Sequence, residues 1–168
     1  MRFIGAFILL LSTNLVFAQT DSPESYFDFW VGKWELTWVD ANGNEGAGTN
    51  VIEKTLDGIV IQENFRALSG AYAGMKGTSL SVYNPQTQIW KQAWADNQGS
   101  YFDFTGITED GRRIFQTEES ELPDGRLIIQ RMRFYDIEDE SLTWDWESSF
   151  DGGETWTLAW RIFYTRAE

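Results

Sequence analysis

The chain has 168 residues, a formal net charge of -13, and neither cysteine nor histidine. The missing cysteine means that the fold must be stable without disulfides. The missing histidine excludes a histidine-ligated haem, a His-rich zinc site and a Ser-His-Asp triad, so we expect no cofactor and no metal. The acidic balance argues against nucleic acid as a partner, because that binding depends on neutralising phosphates.

The N-terminal segment has the pattern of a signal peptide. Arg2 precedes an apolar run over residues 3–17, and Val16 and Ala18 place small residues where a signal peptidase reads them. The run is short for a bilayer span. The pattern predicts a signal peptide over residues 1–18 and a single exported domain over residues 19–168. That domain is expected in the periplasm or secreted, with no membrane insertion after cleavage.

The stretch from Tyr26 to Trp38 is dense in aromatic residues and changes its period at Gly32. The residues before Gly32 are typical of a short helical turn that plugs one end of a core. After it, Trp34, Leu36 and Trp38 alternate with polar residues, as they do in a half-buried strand. We therefore predict an N-terminal helical plug that leads into the first strand of a sheet.

Turn signals recur at strand-like intervals along the rest of the chain. They are Asn42-Gly43, Asp57-Gly58, Asn84-Pro85, Gln98-Gly99, Asp110-Gly111, Asp124-Gly125, Glu138-Asp139 and Asp151-Gly152-Gly153. Between them lie alternating runs rich in β-branched and aromatic residues, the pattern of strands joined by tight hairpins. About ten such strands form an up-and-down antiparallel meander, and closing so long a sheet removes its exposed edges. The fold class expected is all-β, a closed barrel.

Two loops resemble functional motifs but are predicted to be turns. The segment 40–45 begins like a calcium loop, yet Glu45 stands where that loop requires glycine. The segment 149–156 resembles the Asp-box hairpin of sialidases. It occurs once in a chain too short for a propeller, so Asp151 is expected to bond the loop backbone.

Strand alternation suggests the candidate site. Gln92 and Trp94 share one side of their strand, and Glu63 sits among apolar neighbours. Arg131 and Arg133 share a side of a later strand, and polar groups inside a barrel must be paired or solvated. We therefore expect Glu63 to pair with Arg131 or Arg133, either as a structural ion pair or as part of a ligand site. No catalytic residue is assigned, and the candidate ligand-binding residues are Glu63, Gln92, Trp94, Arg131 and Arg133.

The nine tryptophans permit two interpretations. They fill a wide barrel as core packing, which is the default, or they line a ligand pocket. Near the end of the chain Trp156, Leu158, Trp160, Ile162 and Tyr164 alternate as one face of a strand.

Several separated motifs together resemble an uncharacterised, often exported bacterial family related to the domain-of-unknown-function 1579 group. They are FDFWVGKWELTW, GTNVIEKTLDGIVIQENF, GTSLSVYNPQTQIWKQAWADNQG and WESSFDGGETW, in that order. The resemblance covers nearly the whole mature chain and implies a lipocalin-like, calycin-type barrel with room for an interior cavity. The more distant nitrobindin barrels hold haem with a histidine that this chain lacks, so haem binding does not carry over.

These patterns favour a binding protein over an enzyme. The ligand expected is small and largely apolar or aromatic. One alternative is a small-barrel isomerase, cyclase or hydrolase that uses Glu63 as acid or base. Another is a carbohydrate- or protein-contacting domain, which would need several indoles on its outer surface. The oligomeric state is left open.

Overall fold

The computed structural model describes residues 22–108 and 111–168, so the predicted signal peptide lies outside the described part of the chain. No helix within those two ranges is long and apolar enough to cross a membrane. Two short 3-10 helices precede the sheet, at Pro23–Ser25 and Asp28–Trp30. Eleven β-strands follow them within the described ranges.

The strands follow one another around a closed antiparallel barrel. They are β1 (Gly32–Val39), β2 (Glu45–Thr55), β3 (Val60–Ala67), β4 (Lys76–Asn84), β5 (Ile89–Asp96), β6 (Tyr101–Ile107), β7 (Arg113–Thr117), β8 (Ser120–Glu121), β9 (Leu127–Tyr135), β10 (Ser141–Ser149) and β11 (Thr157–Arg166). Pairing of β1 with β11 closes the sheet. The two-residue β8 pairs with one end of β9, while β7 pairs with β9 directly, so ten strands form the wall. The all-β barrel prediction is confirmed.

Alternation along β1 sets the first layer of the core. Trp34, Leu36 and Trp38 are buried, while the residues between them are exposed, as the period of two predicted. The Trp38 indole lies against Gly46 of the paired strand, where a Cβ atom would collide with the ring. Glycine at that position therefore makes room for a large aromatic side chain inside the barrel.

The aromatic segment before β1 closes one end of the barrel. The Phe27 ring stacks on Phe115 with 4.3 Å between centroids and meets Trp90 edge-on at 5.2 Å. Trp90 donates its indole N–H to the Pro23 carbonyl at 2.8 Å, and the Tyr26 hydroxyl donates to the Thr108 carbonyl at 2.7 Å. The predicted helical plug is confirmed, and it leaves the other end of the barrel as the open one.

The segments 40–45 and 149–156, which resemble a calcium loop and an Asp-box, are both hairpin turns, as predicted. In the first, one oxygen of Asp40 accepts the backbone N–H groups of Asn42 and Asn44. In the second, Asp151 Oδ1 accepts the Thr155 N–H at 2.9 Å and Oδ2 accepts the Thr155 hydroxyl at 2.5 Å. These bonds lower the pKa of Asp151 to about 2. The charged carboxylate therefore stabilises this loop.

We expect Asp151→Ala to lower the melting temperature by a few degrees at neutral pH, because the loop loses its hydrogen-bond acceptors. The pKa of Asp151 is depressed in the folded state, so its contribution is present above the ordinary pKa of 3.8 and is lost as pH falls towards 2. Thermal unfolding of both proteins from pH 7 to pH 2 should show their difference shrinking. Asp124→Ala is the matched control, since among the described residues the Asp124 side chain accepts hydrogen bonds from Arg126 alone, within its own turn. An equal loss in that variant would contradict a special role for the Asp151 loop.

Candidate functional site

The barrel interior contains a cavity of about 270 Å³ towards its open end. Side chains from β3, β5, β6, β9, β10 and β11 form its wall, together with the loops that follow β3 and β5. Most of the lining is aromatic: Phe65, Tyr72, Trp94, Phe102, Phe104, Trp144, Trp146, Trp160 and Tyr164. The remainder is Glu63, Met75, Asp96, Gln98, Ser100, Met132, Ala159 and Ile162.

Glu63 is the buried carboxyl group of this cavity, with 5% of its surface exposed. Asn50 Nδ2 donates to its Oε1 and the Ser79 hydroxyl donates to its Oε2, both at 2.7 Å. No lysine or arginine within the described ranges forms an ion pair with it. Burial outweighs the two hydrogen bonds and raises the pKa of Glu63 from 4.5 to about 7. The group can therefore hold or release a proton near neutral pH.

Tyr164 extends this polar cluster towards β11. Its hydroxyl accepts a hydrogen bond from Asn50 Nδ2 at 3.3 Å, and the residue lines the same cavity as Glu63. Burial, followed by the nearby Glu63 charge, raises the pKa of Tyr164 above its ordinary value. Tyr164 is therefore neutral wherever the protein is folded at physiological pH, and Glu63 is the ionisable group at the base of the cavity.

Trp160 is the centre of the aromatic wall. Its ring meets those of Trp38, Phe65 and Trp144 nearly at right angles, with centroids 5.2, 5.9 and 5.9 Å away. Tyr72, from the loop after β3, lies 4.3 Å from the same ring. Such edge-to-face contacts fix the orientation of the rings, so the wall is preformed.

A second carboxylate, Asp96, lies at the mouth of the cavity. Its Oδ1 accepts backbone N–H groups from Gln98 and Ser100 at 2.9 and 3.0 Å, and Trp94 donates its indole N–H to Oδ2 at 3.3 Å. Partial burial works to raise the pKa of Asp96, but the hydrogen bonds from Ser100, Gln98 and Trp94 outweigh it and lower the pKa. Asp96 is therefore negatively charged at neutral pH.

The structure brings together two of the five predicted site residues at the cavity. Glu63 and Trp94 line it, and Trp94 lies over Gly77, where a Cβ atom would collide with the indole. Gln92 also points inward but is buried against β4, where it donates to the Ser81 hydroxyl at 2.8 Å. Gln92 is not a residue of the cavity lining and belongs to the packed part of the core.

Arg131 and Arg133 lie on the outer face of the barrel, and the predicted pairing of Glu63 with either of them is wrong. On β9 the inward residues are Met132 and Phe134, which stand opposite Trp146 and Trp144 of β10. Residues between them point the other way. Neither arginine can therefore reach Glu63 through the sheet.

The two arginines instead join an ion-pair network on the outside of β9, β10 and β11. Arg131 bonds Glu147 at 2.6 Å, and Arg133 contacts Asp145 at 3.3 Å. Arg161 binds both oxygens of Asp145 at 2.7 Å, and Asp145 is fully buried beneath these side chains. Arg131 and Arg133 also line a recess of about 890 Å³ beside the plug. Each of the three arginines contacts at least one of the two carboxylates, Asp145 and Glu147, as is typical of a structural cluster.

Three tryptophans that were not among the predicted site residues also line the cavity: Trp144, Trp146 and Trp160. Trp144 and Trp146 alternate along β10, and that alternation was the available signal. The prediction that Trp156, Leu158 and Trp160 share one face of the last strand is only partly correct. Trp160 faces the cavity, whereas Trp156 and Leu158 lie on the outside of the barrel. The register of β10 with β11 shifts between Trp146 and Glu147, and this bulge turns the preceding residues outward.

Neither a family model nor a curated protein sequence matches the chain. Among solved structures, the S-type phycobiliprotein lyase CPES from Guillardia theta matches with a TM-score of 0.53 and 13% identity, over 88% of this chain and 94% of that one. A redesigned β-barrel matches with a TM-score of 0.44 and 10% identity, over 86% of this chain and 96% of that one. The likeness to the lyase concerns the fold alone. With the closed ten-strand meander, it gives this chain a lipocalin-like, calycin-type β-barrel fold.

Proposed function

We propose that this chain is an exported binding protein that holds a small, largely apolar or aromatic ligand inside its barrel. One observation carries the proposal: a cavity of about 270 Å³ with preformed aromatic walls and one buried carboxyl group. Ligand pockets are concave and mostly apolar, with a few placed polar groups that orient the ligand. The volume lies just below the usual range of roughly 300–1,000 Å³, which favours a compact, one- or two-ring ligand.

Export and membership of the exported domain-of-unknown-function 1579 group are part of the same proposal. They rest on the apolar N-terminal segment and on the motifs that resemble that group. Expression of the full chain in a Gram-negative host, followed by fractionation and intact mass measurement, tests the export step. We expect a periplasmic or secreted product that begins at Gln19. A full-length protein in the cytoplasm would contradict export without affecting the cavity.

We expect the purified protein to bind a neutral aromatic probe such as indole or naphthalene with one-to-one stoichiometry. Ala159→Phe should weaken that binding by about tenfold or more, because Ala159 lines the cavity and a phenyl ring would occupy part of it. Ala95→Phe is the matched control, since Ala95 is an exposed residue of β5. Calorimetric titration measures both. Equal weakening by both variants, or no binding of any aromatic probe, would overturn the proposed function.

A second candidate function is acid–base catalysis by Glu63. A carboxyl group with a pKa of about 7 suits proton transfer at neutral pH. Glu63→Gln separates the two functions once a ligand is known: a binding protein keeps its ligand unconverted, whereas an enzyme variant binds substrate but loses turnover. A third candidate, a carbohydrate- or protein-contacting domain, requires several indoles on the outer surface. All nine tryptophans lie in the described ranges, and each is buried or half-buried. Trp156, beside Arg131, is the one that lies on the outer face, and a single half-buried indole does not meet that requirement.

A further inference from the structure

The electrostatic character of the cavity narrows the class of ligand. Its ionisable acidic groups are Glu63 at the base and Asp96 at the mouth, and tyrosines 72 and 164 are its other titratable residues. No lysine or arginine is present among the described residues of the lining. A ligand inside the barrel therefore meets negative charge without any compensating positive charge from the protein.

Glu63 has no cationic partner among the described residues. Both of its hydrogen bonds come from neutral groups, Asn50 and Ser79. A buried carboxylate usually requires a cationic partner to offset the loss of hydration. None of the described residues supplies that cationic partner inside the barrel. A ligand in the cavity beside Glu63 could supply it.

The aromatic wall favours the same kind of ligand. The faces of indole and phenol rings carry negative electrostatic potential and attract ammonium groups, with tryptophan the strongest of them. Four tryptophans (94, 144, 146 and 160) and Tyr72 surround the cavity. Aromatic cages of this composition bind quaternary ammonium groups in other proteins. Walls of this kind also bind neutral rings, so it is the carboxyl group that makes the distinction.

We propose that the ligand of this cavity is an organic cation, an amine or quaternary ammonium group attached to a compact apolar body, with Glu63 as its counter-ion. The proposal rests on the proposed function, because it requires that the cavity binds a ligand at all. Asp96 at the mouth and the net charge of -13 attract cations towards the open end. The apolar body then packs against the tryptophans while the cationic group contacts Glu63.

The protonation of Glu63 allows the proposal to be tested through the pH dependence of ligand affinity. A cation binds the ionised carboxylate, so its affinity should be highest above pH 7. It should fall by up to about tenfold for each pH unit below that value, as Glu63 takes up a proton. Tyr164 stays neutral in this range, and Asp96 stays charged because its pKa is lowered. A neutral ligand should show no such dependence.

The test compares benzyltrimethylammonium with neopentylbenzene, its uncharged analogue of the same shape, by calorimetric titration of the whole protein between pH 5.5 and 8.5. The quaternary ammonium has no proton of its own to lose. At pH 8 we expect the cation to bind at least about tenfold more tightly than the neutral analogue. Glu63→Gln should remove the pH dependence and reduce this preference to what the aromatic wall and Asp96 supply, while retaining the affinity for neopentylbenzene.

Asp103→Asn is the matched control. It removes one negative charge from an exposed position on the outside of β6, where Asp103 pairs with Lys91. This variant should keep the cation preference, which separates the Glu63 contact from net charge. If the neutral analogue binds as tightly as the cation at pH 8, or if Glu63→Gln leaves the preference intact, the cation proposal is overturned and the proposed function stands. If neither compound nor any other aromatic probe binds, both are overturned.

Discussion

Phe27→Ala is expected to destabilise the protein by about 3–5 kcal/mol, because it removes a fully buried ring from the plug. Phe27 contacts Phe115, Trp90 and Phe134 with centroids 4.3, 5.2 and 6.2 Å away, all on strands of the barrel. These strands are already fixed by their hydrogen bonds and cannot close over the space. Chemical denaturation of the variant and the wild type measures the loss.

Phe163→Ala is the matched control for the plug. Phe163 is half exposed on the outer face of β11, and truncation there should cost much less than truncation of Phe27. The ligand end of the barrel lies opposite the plug, so the Phe27 variant should keep its affinity for an aromatic probe while it remains folded. An equal loss of stability in both variants would show that the segment before β1 packs only loosely against the barrel.

The architecture could be predicted from the sequence because its signals are local. The Asx-Gly pairs that fall in described residues all lie in connections between strands, and alternation in β1 places Trp34, Leu36 and Trp38 inside. In a meander each strand pairs with its sequence neighbour, so correct turns are nearly sufficient for the topology. The brief β8, beside β9, was the element that no sequence pattern indicated.

The site was only partly predictable because alternation groups residues without saying which group faces inward. In β9 both faces carry apolar residues: Leu127 and Ile129 lie with the arginines, while Met132 and Phe134 lie opposite. The choice depends on the partner strand, where Asp145 and Glu147 receive the arginines on the outside. Long-range pairing of this kind is set by tertiary structure. The bulge in β11 is likewise a property of the β10–β11 register, which the sequence of β11 alone does not encode.

The largest charge effect is expected for Glu63→Gln, which should be more stable than the wild type above pH 7 by about 3 kcal/mol. In the folded protein the pKa of Glu63 is raised from 4.5 to about 7, so folding favours the protonated form. Wild-type stability is therefore lost as pH rises through this window, by about 1.4 kcal/mol for each pKa unit. Glutamine carries no charge at any pH. The variant and the wild type should be similar below pH 4.5 and diverge steadily up to pH 7.

Urea denaturation of both proteins between pH 4 and pH 8.5 measures this difference, and carboxylates common to both cancel in the comparison. Glu147→Gln is the control of opposite sign: Glu147 is buried but pairs with Arg131, so its neutralisation should destabilise the protein at neutral pH. If Glu63→Gln were the less stable protein at pH 8, the carboxylate would already be compensated within the barrel, and no cationic ligand would be needed there. A gain in stability would instead show that the chain keeps a buried charge at a cost to its own folding, which is expected of a group retained to contact a ligand.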